Sequence, residues 1–219
     1  MPSPLVHATL PAACLVAERK TRRPLDRAHT IRLCLAALII ANLPDIDLIP
    51  ALWFRAHFEE IHRAWGHNIF SVGLWTFLGS RLLAWADGRS SSRAYYWCAA
   101  AGLALSHIFL DAAGHFNEFG FSPTVPVLWP LSNWELTLPF RLFATMDFSF
   151  PPVTALTLAE RVFSWGFWRD IAICEVVPAF FVYLIWRVVL RSARVAHQFT
   201  QKQKGDSPSL ESRPSPLTR

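Results

Sequence analysis

The chain has 219 residues, of which 53% are hydrophobic and 17% charged, with ten tryptophans, seventeen phenylalanines and a net charge of +5. An average soluble chain carries roughly 25% charged residues, so the composition argues against a water-soluble globular protein, and the length suits a single domain. The positive charge does not indicate nucleic acid, because the basic residues border apolar runs and do not interleave with aromatics on a polar helix.

Residues 5–17 (LVHATLPAACLVA) are apolar but fall short of the roughly 20 residues a membrane span needs. Pro11 is expected to disturb the middle of any helix there. No basic residue precedes this run, so it is read as part of the mature fold, as a short or re-entrant segment, and not as a cleaved signal. A basic loop follows, with Arg19, Lys20, Arg22, Arg23 and Arg27.

The next apolar run extends from about His29 to Leu43. It is expected to stop at Pro44, because the residue before a proline avoids the helical region. Residues 45–66 are mixed and read as a loop with an amphipathic helix. Residues 68–86 and 94–114 are each long enough to span, and the glycines and alanines of the second favour close helix packing. Residues 115–168 are rich in proline and aromatics and read as an irregular cap with short helices. A last span covers 171–190. The polar, Ser/Pro-rich tail from 197 to 219 reads as disordered. The expected fold is therefore all-α: a polytopic helical membrane bundle over residues 1–196, with an extramembrane cap at about 115–168.

The four cysteines, Cys14, Cys34, Cys98 and Cys174, are far apart in sequence and lie in apolar stretches, which suits free thiols packed as small hydrophobes. Basic residues set the expected orientation. Six lie in the first loop through Arg32, three between Arg81 and Arg93, and seven from Arg187 onward. The connections at 44–66 and 112–170 hold two and three. The positive-inside rule then places the first three regions, including the C-terminal tail, in the cytoplasm.

Residues able to bind a metal collect at the other helix ends. His107 and Asp111 are four apart and share one helix face. They can chelate an ion, or form a hydrogen-bonded pair that ties helices together; ionisable groups within apolar spans are costly and commonly functional. His115 stands one turn further on. Asp45 and Asp47 follow Pro44 and read either as a turn or as carboxylates that bridge metals and orient water. His62 and His67 are five apart, so a chain break near Gly66 is needed for both to face one centre. Arg63 between them can hold an anionic substrate group or developing negative charge, or sit in interfacial water. His7 belongs to the same side. His57 reads as a surface residue, and His29 and His197 lie on the basic side. Glu59 and His62 form an E-x-x-H pair without a second copy on a comparable helix, and HFEEIH is not the HExxH of zinc proteases.

The ordered set His7, LPDID, HRAWGHN and SHIFLD, with the later VLWPLSN, resembles the YdjM family of inner-membrane-associated metal-dependent hydrolases over about residues 5–132. That family is distantly similar to zinc-dependent phospholipase C and its nuclease relatives, in which an Asp, several His and an HxxxD pair hold a zinc cluster that hydrolyses phosphoesters. The resemblance implies that His107 and Asp111 are the HxxxD pair, Asp45 the single Asp, and His7 with His62 or His67 the earlier histidines. The larger group also carries an HxxxE pair. Here Glu118 follows His115 one residue too early, so one or two ions are expected and not three.

The reading that follows is a multi-pass protein of a bacterial inner membrane, using a divalent metal, zinc by preference, to activate water against a small-molecule or lipid phosphoester at the extracytoplasmic edge. His7, Asp45, His62, His67, His107 and Asp111 are the expected ligands. Asp47 and Arg63 are the expected catalytic groups. The alternative is a non-catalytic scaffold or regulatory protein whose His/Asp cluster only locks the helices. A metal transporter fits less well, since its ligands belong near the bilayer midplane.

Overall fold

Small residues determine how closely the helices of this chain approach one another. In the computed structural model, which describes residues 4–47, 49–50, 65–88, 90–113, 124–138 and 164–205, α1 spans Pro4–Arg22 and α2 spans Arg27–Asn42. The chain continues from α2 into a 3-10 turn, Leu43–Asp47. Then come α3 (Ile69–Ala86) and α4 (Arg93–Ala112). After the cap come α5 (Trp165–Ile171), a π-helical turn (Ala172–Val176) and α6 (Val177–Gly205).

The core-facing side of α2 is Leu33, Ala36, Ala37, Ile40 and Ala41, a three- and four-residue repeat. The buried side of α3 is equally slight: Val72, Thr76, Gly79, Ser80, Leu83 and Ala86. A Cβ built on Gly79 would lie 3.0 Å from Ile40 and 3.3 Å from Ala100, so α2, α3 and α4 pack closely at this glycine. In lipid such packing carries much of the association energy, because hydrocarbon is no less apolar than the side chains it replaces. α2 is the central helix, touching α1, α3 and α4; α6 rests on α1.

The helix starts are capped locally. Asp26 accepts from His29 N at 2.7 Å and Ser92 from Tyr95 N at 3.2 Å. Asn68 accepts from both Phe70 N and Ser71 N at 3.0 Å, satisfying two of the donors that a helix N-terminus leaves unpaired.

The outer faces are apolar. Ile31, Leu35 and Ile39 on α2, Leu74 and Leu78 on α3, and Phe180, Phe181 and Ile185 on α6 are all exposed. Three helical stretches, Arg27–Asp47, Ile69–Ala86 and Ala172–Ala196, are long and apolar enough to cross a membrane. α4, 20 residues long, is not among these stretches, and it carries His107, Asp111 and two tyrosines.

Three boundaries differ from the sequence expectation. α1 is one continuous helix with Pro11 inside it, and the proline deprives only the His7 carbonyl of its usual donor. The PDID segment is a 3-10 turn continuing α2, not an open loop. α6 runs past residue 197 to Gly205, because Gln and Lys are good helix formers and no glycine or proline intervenes.

Of the expected cap at about 115–168, residues 124–138 and 164–168 are described. Val125 and Leu136 form an isolated antiparallel bridge, and Val125 packs with Val72, Ala104, Ile108 and Ala112. Val127 O accepts from Ile69 N at 2.8 Å, so this part of the cap covers the α3 N-terminus and the α4 C-terminus.

Candidate metal centre

The start of α1, the end of α2, the start of α3 and the end of α4 lie at the same end of the bundle, and each contributes to one buried polar cluster. His7 is 1% exposed, His67 1%, His107 0%, Asp111 5% and Asp47 4%. Asp45 is more open, with 13% of its side chain exposed.

Asp111 is central. Its Oδ1 lies 3.3 Å from His7 Nε2, and its Oδ2 lies 3.0 Å from His67 Nε2 and 3.6 Å from His107 Nε2. Asp45 Oδ1 approaches His107 Nε2 at 3.2 Å and His67 Nε2 at 3.8 Å. The His7 and His107 rings are 4.2 Å apart, and the His67 and His107 rings 5.2 Å apart. Two overlapping sets, His7–His107–Asp111 and Asp45–His67–His107, bring their donor atoms within 4.8 Å of one another.

The donor set fits a divalent ion. Tetrahedral ligands at about 2.0–2.1 Å from zinc stand about 3.3 Å from each other, close to the spacings between these imidazole and carboxylate atoms. His7 Nδ1 and Nε2, His107 Nε2 and Asp111 Oδ1 are buried without a hydrogen bond of normal geometry among the described residues. Such atoms are costly unless something pairs with them, and imidazole with carboxylate is a donor combination zinc accepts.

Neighbouring groups aim these side chains. His107 Nδ1 donates to the Ala41 carbonyl at 2.7 Å, which fixes the tautomer and leaves Nε2 facing the cluster. Asp47 accepts from Gly66 N at 2.7 Å and lies 3.7 Å from His67 Nδ1, behind the ring and outside both donor sets. Gly66 is required by this contact: a Cβ there would stand 1.9 Å from Pro44 O and 2.6 Å from Asp47 Oδ2. The chain bends at His67–Asn68 immediately after it, and the Asn68 cap fixes how His67 enters α3. Burial disfavours the charged His67 imidazole, but the Asp111 and Asp47 carboxylates override this and raise its pKa to about 10.

Of the residues singled out from sequence, His7, Asp45, Asp47, His67, His107 and Asp111 thus meet in one cluster. His62, Arg63, His57, Glu59 and His115 lie outside the described residues.

Two carboxylates escaped the sequence reading. Asp87, whose side chain is fully buried at the opposite end, accepts from Arg19 at 2.5 Å, Ser90 at 2.6 Å, Arg23 at 2.8 Å and Tyr96 at 2.8 Å, with His29 Nε2 at 3.0 Å. Burial would raise its carboxyl pKa; the hydrogen bonds from Ser90, Arg19, Tyr96 and His29 hold it well below the usual carboxylate range. Glu175, fully buried in the π-helical turn, is the lone acid in an apolar run, a signal that sequence does offer.

A sequence model of the family described as YdjM inner membrane protein matches residues 1–194. No curated protein and no solved structure matches the chain.

Proposed function

The chain belongs to the YdjM family of inner membrane proteins, and from that premise we propose that it is a metal-dependent hydrolase acting on phosphoesters. The observation that carries this reading is the convergence of three buried histidines with Asp45 and Asp111 inside an otherwise apolar bundle. Hydrophobic packing alone does not require such a set, and intramembrane ionisable groups are retained at a cost.

His7, His67, His107, Asp45 and Asp111 would hold a divalent ion, zinc by preference, which would supply Lewis acidity and activate water. The chain's own residues do the rest. Ala41 and Asp47 orient His107 and His67. Asp111 faces all three imidazoles and balances the positive charge they would share. Asp45, the least buried carboxylate of the cluster, would complete the donor set with His67 and His107 on its more open side. Asp47, expected as a catalytic group, lies behind the His67 ring and outside both donor sets, and in this reading acts through His67 as a positioning residue. His62 and Arg63 complete the proposal from outside the described residues, His62 as a further ligand and Arg63 as the partner of the substrate phosphate. By the distribution of basic residues the site opens on the extracytoplasmic side.

Elemental analysis of the purified protein, paired with a panel of phosphate mono- and diesters assayed with and without chelator, tests this. Near-stoichiometric metal and chelator-sensitive hydrolysis are expected. Absence of bound metal, or hydrolysis indifferent to chelator, would overturn it. The scaffold alternative draws on the close His67–Asp111 pair, which can lock α3 to α4 without any ion. It is separated by the melting temperature of His107→Gln with and without chelator: a pure lock loses stability in the variant and is unaffected by chelator in the native chain.

A further inference from the structure

At the end of the bundle opposite the candidate metal centre, α3 and α4 flank a groove of about 540 Å³, lined by Arg81 and Trp85 on one side and Arg93 and Trp97 on the other. We propose that it holds the phosphate of an anionic phospholipid of the surrounding bilayer, with the acyl chains lying along the outer faces of the two helices. The proposal involves neither the His/Asp cluster nor its reaction.

The two walls are built alike. Each helix carries an arginine followed four residues later by a tryptophan, RLLAW at 81–85 and RAYYW at 93–97, and residues four apart share one helix face. The helices are antiparallel, and Gly79 packs against Ala100. Counted outward from that contact, Arg81 stands level with Trp97, and Trp85 with Arg93. The groove therefore has a guanidinium and an indole at each of two depths, about 6 Å apart along the helices.

No acid lines this groove. Among the described residues, neither Arg81 nor Arg93 has a carboxylate partner. The nearby Asp87 is turned inward and held by Arg19, Arg23 and Tyr96. Two hydroxyls on the wall are already committed: Tyr96 donates to Asp87 and Ser80 to the Phe77 carbonyl, each at 2.8 Å. The Arg81 guanidinium lies 5.2 Å from the centre of the Phe77 ring, which is itself 6.1 Å from that of Trp97, so an aromatic floor holds it in place. The charge offered to a ligand is that of the two guanidiniums. Like charges lining one groove repel each other unless an anion lies between them, and the guanidinium fork matches phosphate.

A phospholipid fits better than a soluble phosphate because of what adjoins the groove. The stripe of Arg81 continues along α3 through Phe77, Leu78 and Leu74, and that of Arg93 along α4 through Trp97 to Leu105, all apolar and exposed. Tryptophan rings settle at the level of lipid headgroups, and basic pockets between helices at a membrane surface bind such headgroups. A soluble anion would use the guanidiniums alone. A phospholipid uses the guanidiniums, the indoles and the apolar stripes together.

The test is native mass spectrometry of the full chain in neutral detergent, with palmitoyl-oleoyl phosphatidylglycerol and the matching phosphatidylcholine as probes. One phosphatidylglycerol should be retained per chain, about tenfold more tightly than phosphatidylcholine, and Arg81→Gln combined with Arg93→Gln should remove that preference. Arg32→Gln combined with Arg191→Gln, which deletes the same charge from exposed positions outside the groove, should keep it. Helix content and gel-filtration volume report folding. Should the groove variant not fold, Ala84→Phe narrows the same groove without touching either arginine and should lower retention as much. Equal retention of the two lipids, equal loss in the two folded double variants, or unchanged retention in Ala84→Phe overturns the proposal. Release of the lipid by millimolar inorganic phosphate would also overturn it, by assigning the groove to a soluble anion.

Discussion

Asp111 Oδ2 lies 3.0 Å from His67 Nε2, although 44 positions separate the two residues in the chain. The antiparallel pairing of α3 and α4 accounts for this: the first helix begins just after His67, the second ends just after Asp111, and the two run side by side with Gly79 against Ala100 near their middle.

Removing either member of the HxxxD pair should empty the centre. His107→Ala and Asp111→Ala are expected to lower zinc content from near one or two ions per chain to a small fraction, with affinity falling at least a hundredfold. Elemental analysis after gel filtration reads this directly. Unchanged content in both variants would rule out the assignment.

Metal affinity should rise with pH. A proton on His67 competes with any ion, and its pKa is raised to about 10. Across pH 6–9 the apparent affinity is expected to tighten by about tenfold per unit, because binding releases the proton. Calorimetry in buffers of different ionisation enthalpy measures that release. A pH-independent affinity would mean that His67 gives up no proton on binding.

On the proposed reading, Gly66 and Asp47 position His67 and do not themselves meet the ion. Gly66→Ala forces a Cβ into Pro44 O and Asp47, and Asp47→Asn weakens the grip on the His67 ring. Each is expected to cost 10- to 100-fold in metal affinity, the usual penalty for losing an outer-shell partner. Because an outer-shell change should leave the ligand set intact, the cobalt-substituted spectrum should keep its band positions. A shifted ligand-field spectrum in Asp47→Asn would instead place Asp47 among the direct ligands.

The opposite end predicts an acid limit to stability. Asp87 has a folded pKa below its unfolded value of about 3.9, so its contribution is fully present above that value and is lost as the pH falls toward the folded pKa. Asp87→Asn leaves Arg19 buried without its carboxylate and is expected to cost about 3–5 kcal/mol at pH 7. The melting difference between variant and native chain should shrink below pH 4. A difference that stays constant down to pH 2 would contradict the linkage.

The side chains that could hold a metal stand out in sequence because imidazole and carboxylate are out of place in runs of Leu, Ala and Phe. His107 and Asp111 stand out on that ground, His7 because the basic loop after it puts it on the same side, and Asp45 because it follows the helix-ending Pro44. What could not be read was the backbone's share: the Ala41 carbonyl that aims His107 carries no sequence signal. Asp87 was hidden for the opposite reason. It sits in DGRSSSR, a polar turn where an acid is ordinary, and only the fold turns five donors toward it. Pro11 misled because a lost hydrogen bond inside a packed helix is outweighed by contacts that its own segment does not reveal.

α1 enters both polar clusters, through His7 at one end and Arg19 at the other, twelve residues or about 18 Å apart. A slip of this helix by one turn, about 5.4 Å, would break both at once, so it behaves as a strut whose length calibrates the two ends of the molecule against each other. α6 leans on that strut through Ala179, Val182 and Tyr183.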